Sequence, residues 1–166
     1  AFGNHDKGYH SPEKRGYSGT DLIKELQKNN VIVLQDEAVL LDNNYYILGR
    51  KDLSEFYRGG KRENMSTLVN KLDKSKYIVV LDHQPNDYKN QAAAEVDLVL
   101  SGHTHGGQLW PLNKAGEWMG ANDKTYGYER RNLTDFIVTS GISDWAIKFK
   151  TGTKSEIVVI DIKNRS

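Results

Sequence analysis

The sequence predicts an α/β fold, on three observations. The apolar run Tyr77 to Asp82 is followed by a helix-compatible stretch and by a second buried-type run, Asp97 to Leu100, the order of a βαβ unit with a right-handed crossover. Met65, Leu68, Val69 and Leu72 fall at i, i+3, i+4 and i+7, one face of a helix laid on a sheet. The carboxy-terminal part is then β-rich, with short runs at Phe136 to Thr139, Trp145 to Lys150 and Glu156 to Ile162.

The remaining elements follow from local signals. Ser18 with Asp21 makes a capping box, and Leu22, Ile23 and Leu26 give the helix it opens an apolar face up to Asn29 and Asn30. Val31 to Leu34 reads as a strand. Ala38 to Leu41 follows, and Asp42, Asn43 and Asn44 turn the chain into Tyr45 to Gly49, a hairpin. Pro85 suits the first turn of a helix reaching about Glu95. Gly106 to Leu133, rich in Gly, Asn and aromatics, reads as loop with room for a short hairpin. No repeat and no domain boundary is visible, so residues 1–166 form part of one domain.

Composition narrows the function. At 166 residues with 37% apolar and 10% aromatic residues, the chain can bury a core. Its 23 basic and 22 acidic residues nearly cancel and do not gather into runs, so there is no electrostatic footprint for nucleic acid or an anionic membrane. No apolar stretch approaches the ~18 to 20 residues of a membrane span, and no signal peptide is visible. The absence of cysteine excludes disulfides and thiolate ligands, leaving His, Asp, Glu and Asn for any metal and the redox compartment undetermined.

Three clusters carry chemistry. Two predicted strands end in histidine, one at His83 and one in "SGHTHGGQ", Ser101 to Gln108; the third cluster is "GNHD", Gly3 to Asp6. Loops at the carboxyl ends of strands form the ligand crevice of open α/β sheets. His103 and His105 sit two apart, so an extended segment sends both imidazoles to one side, to adjacent positions of a binuclear centre. Gly102, Gly106 and Gly107 let backbone approach ligands closely. Each cluster alone has an ordinary reading: a polar loop, a buried hydrogen-bonded histidine, a turn. Together, at strand ends, they point to a metal site. His10 reads as a surface residue, and Glu117 and Arg130 as solvated.

In this order, "GNHD", "LDHQP" (Leu81 to Pro85) and "GHTHGGQ" (Gly102 to Gln108) make the sequence resemble the calcineurin-like metallophosphoesterases. "DHQP" and the closing "TGTKSEIVVI" resemble most closely the YkuE-like branch of single-domain bacterial phosphodiesterases. The resemblance implies a four-layer αββα sandwich with a two-metal site at the strand ends. By position, it makes Asn4, His83 and His103 ligands of one metal, His105 a ligand of the other, His5 the proton donor to the leaving oxygen and Asp6 the group that orients it. The metals it implies are divalent Mn, Fe or Zn, with a hydroxide held between two cations ~3.5 to 4 Å apart as nucleophile.

The family pattern also has an Asp-x-His and a Gly-Asp motif ahead of GNHD, and neither occurs in this sequence. The expectation is therefore a carboxy-terminal portion of the domain that holds at most one metal and turns over little or no substrate. Such a portion leaves an apolar sheet face or edge uncovered, so self-association, or pairing with the segment carrying the other motifs, is expected. The alternatives are a non-catalytic metal-binding module of the same fold and a protein phosphatase or nuclease of the superfamily. A phosphoester is the expected substrate and nucleic acid is not; a small phosphodiester or lipid headgroup is favoured. Trp110, Trp118, Tyr126 and Tyr128 either contact it or form local core. Branch members are often exported or membrane-attached through amino-terminal segments, so localisation stays open.

Overall fold

The computed structural model describes residues 1–7 and 11–163; His10 lies outside them. The described residues form an α/β fold built on a six-stranded mixed sheet, as expected. Strands β1 (Glu37–Leu41), β2 (Tyr45–Gly49), β3 (Tyr77–Leu81), β4 (Leu98–Ser101), β5 (Gly127–Arg131) and β6 (Thr134–Val138) are ordered β1-β2-β3-β4-β6-β5. β2, β3, β4 and β6 are parallel, and the antiparallel hairpin partners β1 and β5 form the edges. Asp42 and Asn43 both take left-handed backbone in the β1–β2 turn, which short polar side chains tolerate.

Helices α1 (Pro12–Arg15) and α2 (Gly19–Lys28) precede the sheet, α3 (Met65–Val69) and α4 (Tyr88–Ala93) pack on it, and α5 (Ala115–Trp118) lies in the long loop. The capping box of α2 forms as predicted, Ser18 accepting from the Asp21 amide and Asp21 from the Ser18 amide. Met65, Leu68 and Val69 of α3 are buried against Ile78, Val80 and Val99, with Leu72 packed beside them. Tyr88 and Phe136, both fully buried, stack with ring centroids 3.9 Å apart and fix α4 to β6.

Three expected strands do not form. The Val31 amide is used to close the end of α2, donating to the Leu26 carbonyl after Asn30 turns left-handed, so it has no ladder to join. Trp145 to Lys150 folds back on itself at Ala146 (φ 61°), the Ile147 amide meeting the Trp145 carbonyl. Glu156 to Ile162 is β-prone but finds no neighbouring strand among the described residues, and Ile157 and Val159 are left 84% and 85% exposed. Helix α4 also begins later than Pro85 suggested. The Pro85 carbonyl instead accepts from the Asp123 amide, while the Asp123 carboxylate caps the Tyr88 amide.

Candidate metal centre

Because β2, β3 and β4 are parallel, their carboxyl ends share one edge of the sheet. Hydrogen bonding continues past the strands: the Asp82 amide donates to the Leu100 carbonyl and the Gly102 amide to the His83 carbonyl, both at 3.1 Å. This sets His83 beside His103. Their rings meet edge to face with centroids 5.0 Å apart, His103 Nδ1 lying 3.2 Å from His83 Nε2. The turn at the amino end brings the Asn4 Oδ1 atom to 3.1 Å from the same His83 nitrogen.

These three donors suit one divalent cation. Coordination at ~2.0 to 2.1 Å places neighbouring ligand atoms roughly 3 to 3.4 Å apart, depending on geometry, and the 3.1 and 3.2 Å spacings fall in that range. A carboxamide oxygen with two imidazoles is a donor set for borderline metals. Among the described residues no three His, Cys, Asp or Glu side chains cluster tightly enough to hold an ion, so the carboxamide of Asn4 is needed as the third donor.

Electrostatics prepare the pair. Burial holds both imidazoles below the ordinary histidine range, His103 down to about 4, against the opposing pull of the Asp52 carboxylate. Both rings are therefore neutral at pH 7, the form that ligates a metal.

Glycine is required at position 3. A Cβ there would stand 2.8 Å from the His83 ring, closer than real side chains come. The turn is closed by the Gly3 amide donating to the Asp6 carboxylate (2.7 Å), and Arg58 on the turn Leu53–Arg58 donates to the Asn4 carbonyl (3.1 Å). Asn4 Nδ2 lies 3.3 Å from His5 Nε2, so His5 stands directly beside the trio.

His105 behaves differently from the expectation of an extended His-x-His. His103 (φ 66°) and His105 (φ 50°) both have left-handed backbone, so the segment is not the extended one expected. His105 Nδ1 donates to the Ser143 carbonyl at 3.0 Å, although the residue lines the same cleft. Gly106 and Gly107 serve chain packing, since side chains there would strike Thr153 and the Asn113 backbone.

Sequence reasoning missed several supporting residues. Gln108 clamps a distant segment: its Nε2 donates to the Trp145 and Ile147 carbonyls (2.8 and 3.2 Å) and its Oε1 accepts the Trp145 amide (2.8 Å). Asp52, beyond the end of β2, is buried and accepts two hydrogen bonds from Gln84 (2.9 and 3.0 Å), next in sequence to His83. Asp82 is buried behind His83, where it accepts from Arg50 (3.1 Å), Gln91 (2.7 Å) and Arg62; Arg50 also pairs with Asp87 (2.5 Å). The position of Asp52 past a strand parallel to β3 was a usable signal. The Arg50–Asp82–Arg62 pairing had none.

The trio, His5, Asp6 and His105 line a cleft of about 720 Å³, whose lining also includes Leu109, Leu112, Trp145, Ala146 and Ile147. Trp110, Trp118, Tyr126 and Tyr128 are not among its lining residues; Tyr126 and Tyr128 bond instead to Glu156 and Asp135. Glu117 is half-buried rather than solvated and accepts the Thr125 amide (2.5 Å), closing the loop beyond α5. Among the described residues no helix is long and apolar enough to cross a membrane.

The chain is similar to known phosphoesterases. Residues 1–107 match the family model for calcineurin-like phosphoesterase. An uncharacterized metallophosphoesterase of Campylobacter jejuni is 31% identical over 170 residues, covering 99% of this chain and 42% of its own length. The uncharacterized metallophosphoesterase YkoQ of Bacillus subtilis is 28% identical over 164 residues, covering 94% of this chain and 56% of its own. A bovine transmembrane protein with a metallophosphoesterase domain is 37% identical over 82 residues, 48% of this chain and 18% of its own. The chain thus spans about half or less of the length of these relatives, and no solved structure matches it significantly. A family model covering more than half of the chain, with a bacterial relative aligned over nearly all of it, shows that this chain belongs to the calcineurin-like phosphoesterase family.

Proposed function

We propose that the chain supplies metal ligands and a proton donor to a metal-dependent phosphodiesterase. The observation that carries this reading is the convergence of Asn4 Oδ1, His83 Nε2 and His103 Nδ1 from three separate turns. Manganese, iron or zinc would be held there. His105, across the same cleft, is the ligand offered to a second cation of a binuclear centre. Bound divalent cations supply charge stabilisation to phosphoryl oxygens and lower the pKa of a water nucleophile.

The protein's own contribution is binding, orientation and proton transfer. Asn4 does two things at once, offering its oxygen to the cation site and its Nδ2 to His5 Nε2. His5 is the donor to the departing alkoxide, a step worth ~10² to 10⁴ in rate. Asp6 holds the turn that aims it. Assignment to the YkuE-like branch belongs to the same proposal and rests on LDHQP and TGTKSEIVVI.

A second reading, a metal-binding module without turnover, is favoured by one observation: among the described residues no carboxylate joins the trio. Hydrolysis of bis(p-nitrophenyl) phosphate by the gene product that carries this chain separates the two. A rate that saturates with manganese, vanishes with chelator and is lost in His83→Ala and His103→Ala supports the phosphodiesterase. Manganese binding with no hydrolysis by that product supports the module.

A further inference from the structure

The lining of the cleft is chemically mixed: it contains Asn4, His83 and His103 and also the apolar residues Leu109, Leu112, Trp145, Ala146 and Ile147. Among its described lining residues there is no lysine or arginine, and Asp6 carries the only carboxylate. Arg58, which reaches the Asn4 carbonyl, and Lys7, paired with Glu55, lie outside that lining.

Resting on the phosphoesterase reading above, we infer that the substrate of this site is a singly charged phosphodiester bearing an apolar substituent several carbons long, seated on the wall formed by Leu109, Trp145 and Ile147. Charge is the first argument. A phosphomonoester dianion or a polyphosphate brings two or more negative charges, and binding sites for these ordinarily set Arg or Lys forks against them. This cleft offers Asp6 instead, which repels excess anion. A diester carries one charge, which bound divalent cations offset without a basic side chain.

The second argument is that the wall is built. Gln108 uses both ends of its carboxamide to hold the backbone of Trp145 and Ile147, and its own carbonyl accepts the Thr151 and Gly152 amides at 2.8 and 2.9 Å. The 145–147 segment is thereby fixed with Trp145 and Ile147 55% and 39% exposed at the cleft. Polar groups spent on presenting apolar side chains to an open cavity indicate that an apolar ligand covers them. At about 720 Å³ the cleft has room for a phosphoryl group and both substituents.

The test is binding of alkyl methyl phosphates, ethyl through octyl, to the 166-residue chain with manganese, followed by calorimetry and by tryptophan fluorescence. Octyl phosphate and octanol are controls. Affinity is expected to rise up to about three- to fourfold for each methylene that is buried until the wall is covered, and Ile147→Ser and Trp145→Ser should flatten that rise. Affinity independent of chain length, a slope unchanged in both variants, or octyl phosphate binding tenfold tighter than octyl methyl phosphate overturns the inference while leaving the phosphoesterase reading intact. Octanol binding as tightly as the diester, with no effect of manganese or of His103→Ala, overturns both together, because the phosphoryl group is then not recognised.

Discussion

Asn4 and His83 lie 79 residues apart in the chain, yet Asn4 Oδ1 and His83 Nε2 are 3.1 Å apart in space, with His103 Nδ1 3.2 Å beyond. This contact brings three otherwise ordinary turns together into the candidate metal centre.

Removing any donor should cost more than the ~10- to 100-fold in metal affinity typical of losing an outer hydrogen-bond partner. Asn4→Ala, His83→Ala and His103→Ala are each expected to weaken manganese binding by at least that, measured by calorimetry. An unchanged affinity in any of them would remove that side chain from the site.

Gly3→Ala tests the approach without touching a donor. A methyl group 2.8 Å from the His83 ring must push the Asn4 turn away. Manganese affinity should fall about as far as in Asn4→Ala, with the thermal midpoint of the metal-free chain unchanged, because the turn lies outside the main core cluster.

Acid should destabilise the metal-free chain in a defined window. The folded chain holds His83 and His103 below the unfolded value of about 6.5, His103 near 4. As pH falls through about 6.5 the unfolded state takes up protons first, so stability present above that value is lost progressively toward pH 4. Urea midpoints measured with chelator should fall across this window, and His103→Gln should reduce the slope.

The buried charges behind the site are held by mutual pairing. Arg62→Met leaves Asp82, 1% exposed, with Arg50 as its remaining cation. The expected loss is about 3 to 5 kcal/mol of unfolding free energy, read from urea denaturation. A loss below about 1 kcal/mol, the range of surface pairs, would show that the pairing does not matter.

Ile157 and Val159 are exposed on a segment that joins no ladder among the described residues, and they offer an apolar surface for association. Sedimentation velocity should show concentration-dependent association of the 166-residue chain, and Ile157→Lys with Val159→Lys should shift it toward monomer.

Where local pattern and tertiary context agreed, the sequence alone was enough. The Ser18–Asp21 box, the Asp42–Asn43 turn, the α3 face and the two buried parallel strands rest on interactions within a few residues or on runs too apolar to be elsewhere. The histidines could be named from chain position because parallel strands must deliver their ends to one edge. Val31–Leu34, Trp145–Lys150 and Glu156–Ile162 show the opposite case: β-propensity needs a neighbouring strand, and pattern cannot say whether one is there. Likewise the departure of the His103–His105 segment from an extended course was decided by two left-handed residues, and the roles of Gln108, Asp52 and Arg62 by partners 20 to 39 residues away. Composition and spacing determined which chemical groups the protein possesses; only the folded chain decided which of them meet, because a hydrogen bond or a donor set is satisfied by distance in space and not by order along the backbone.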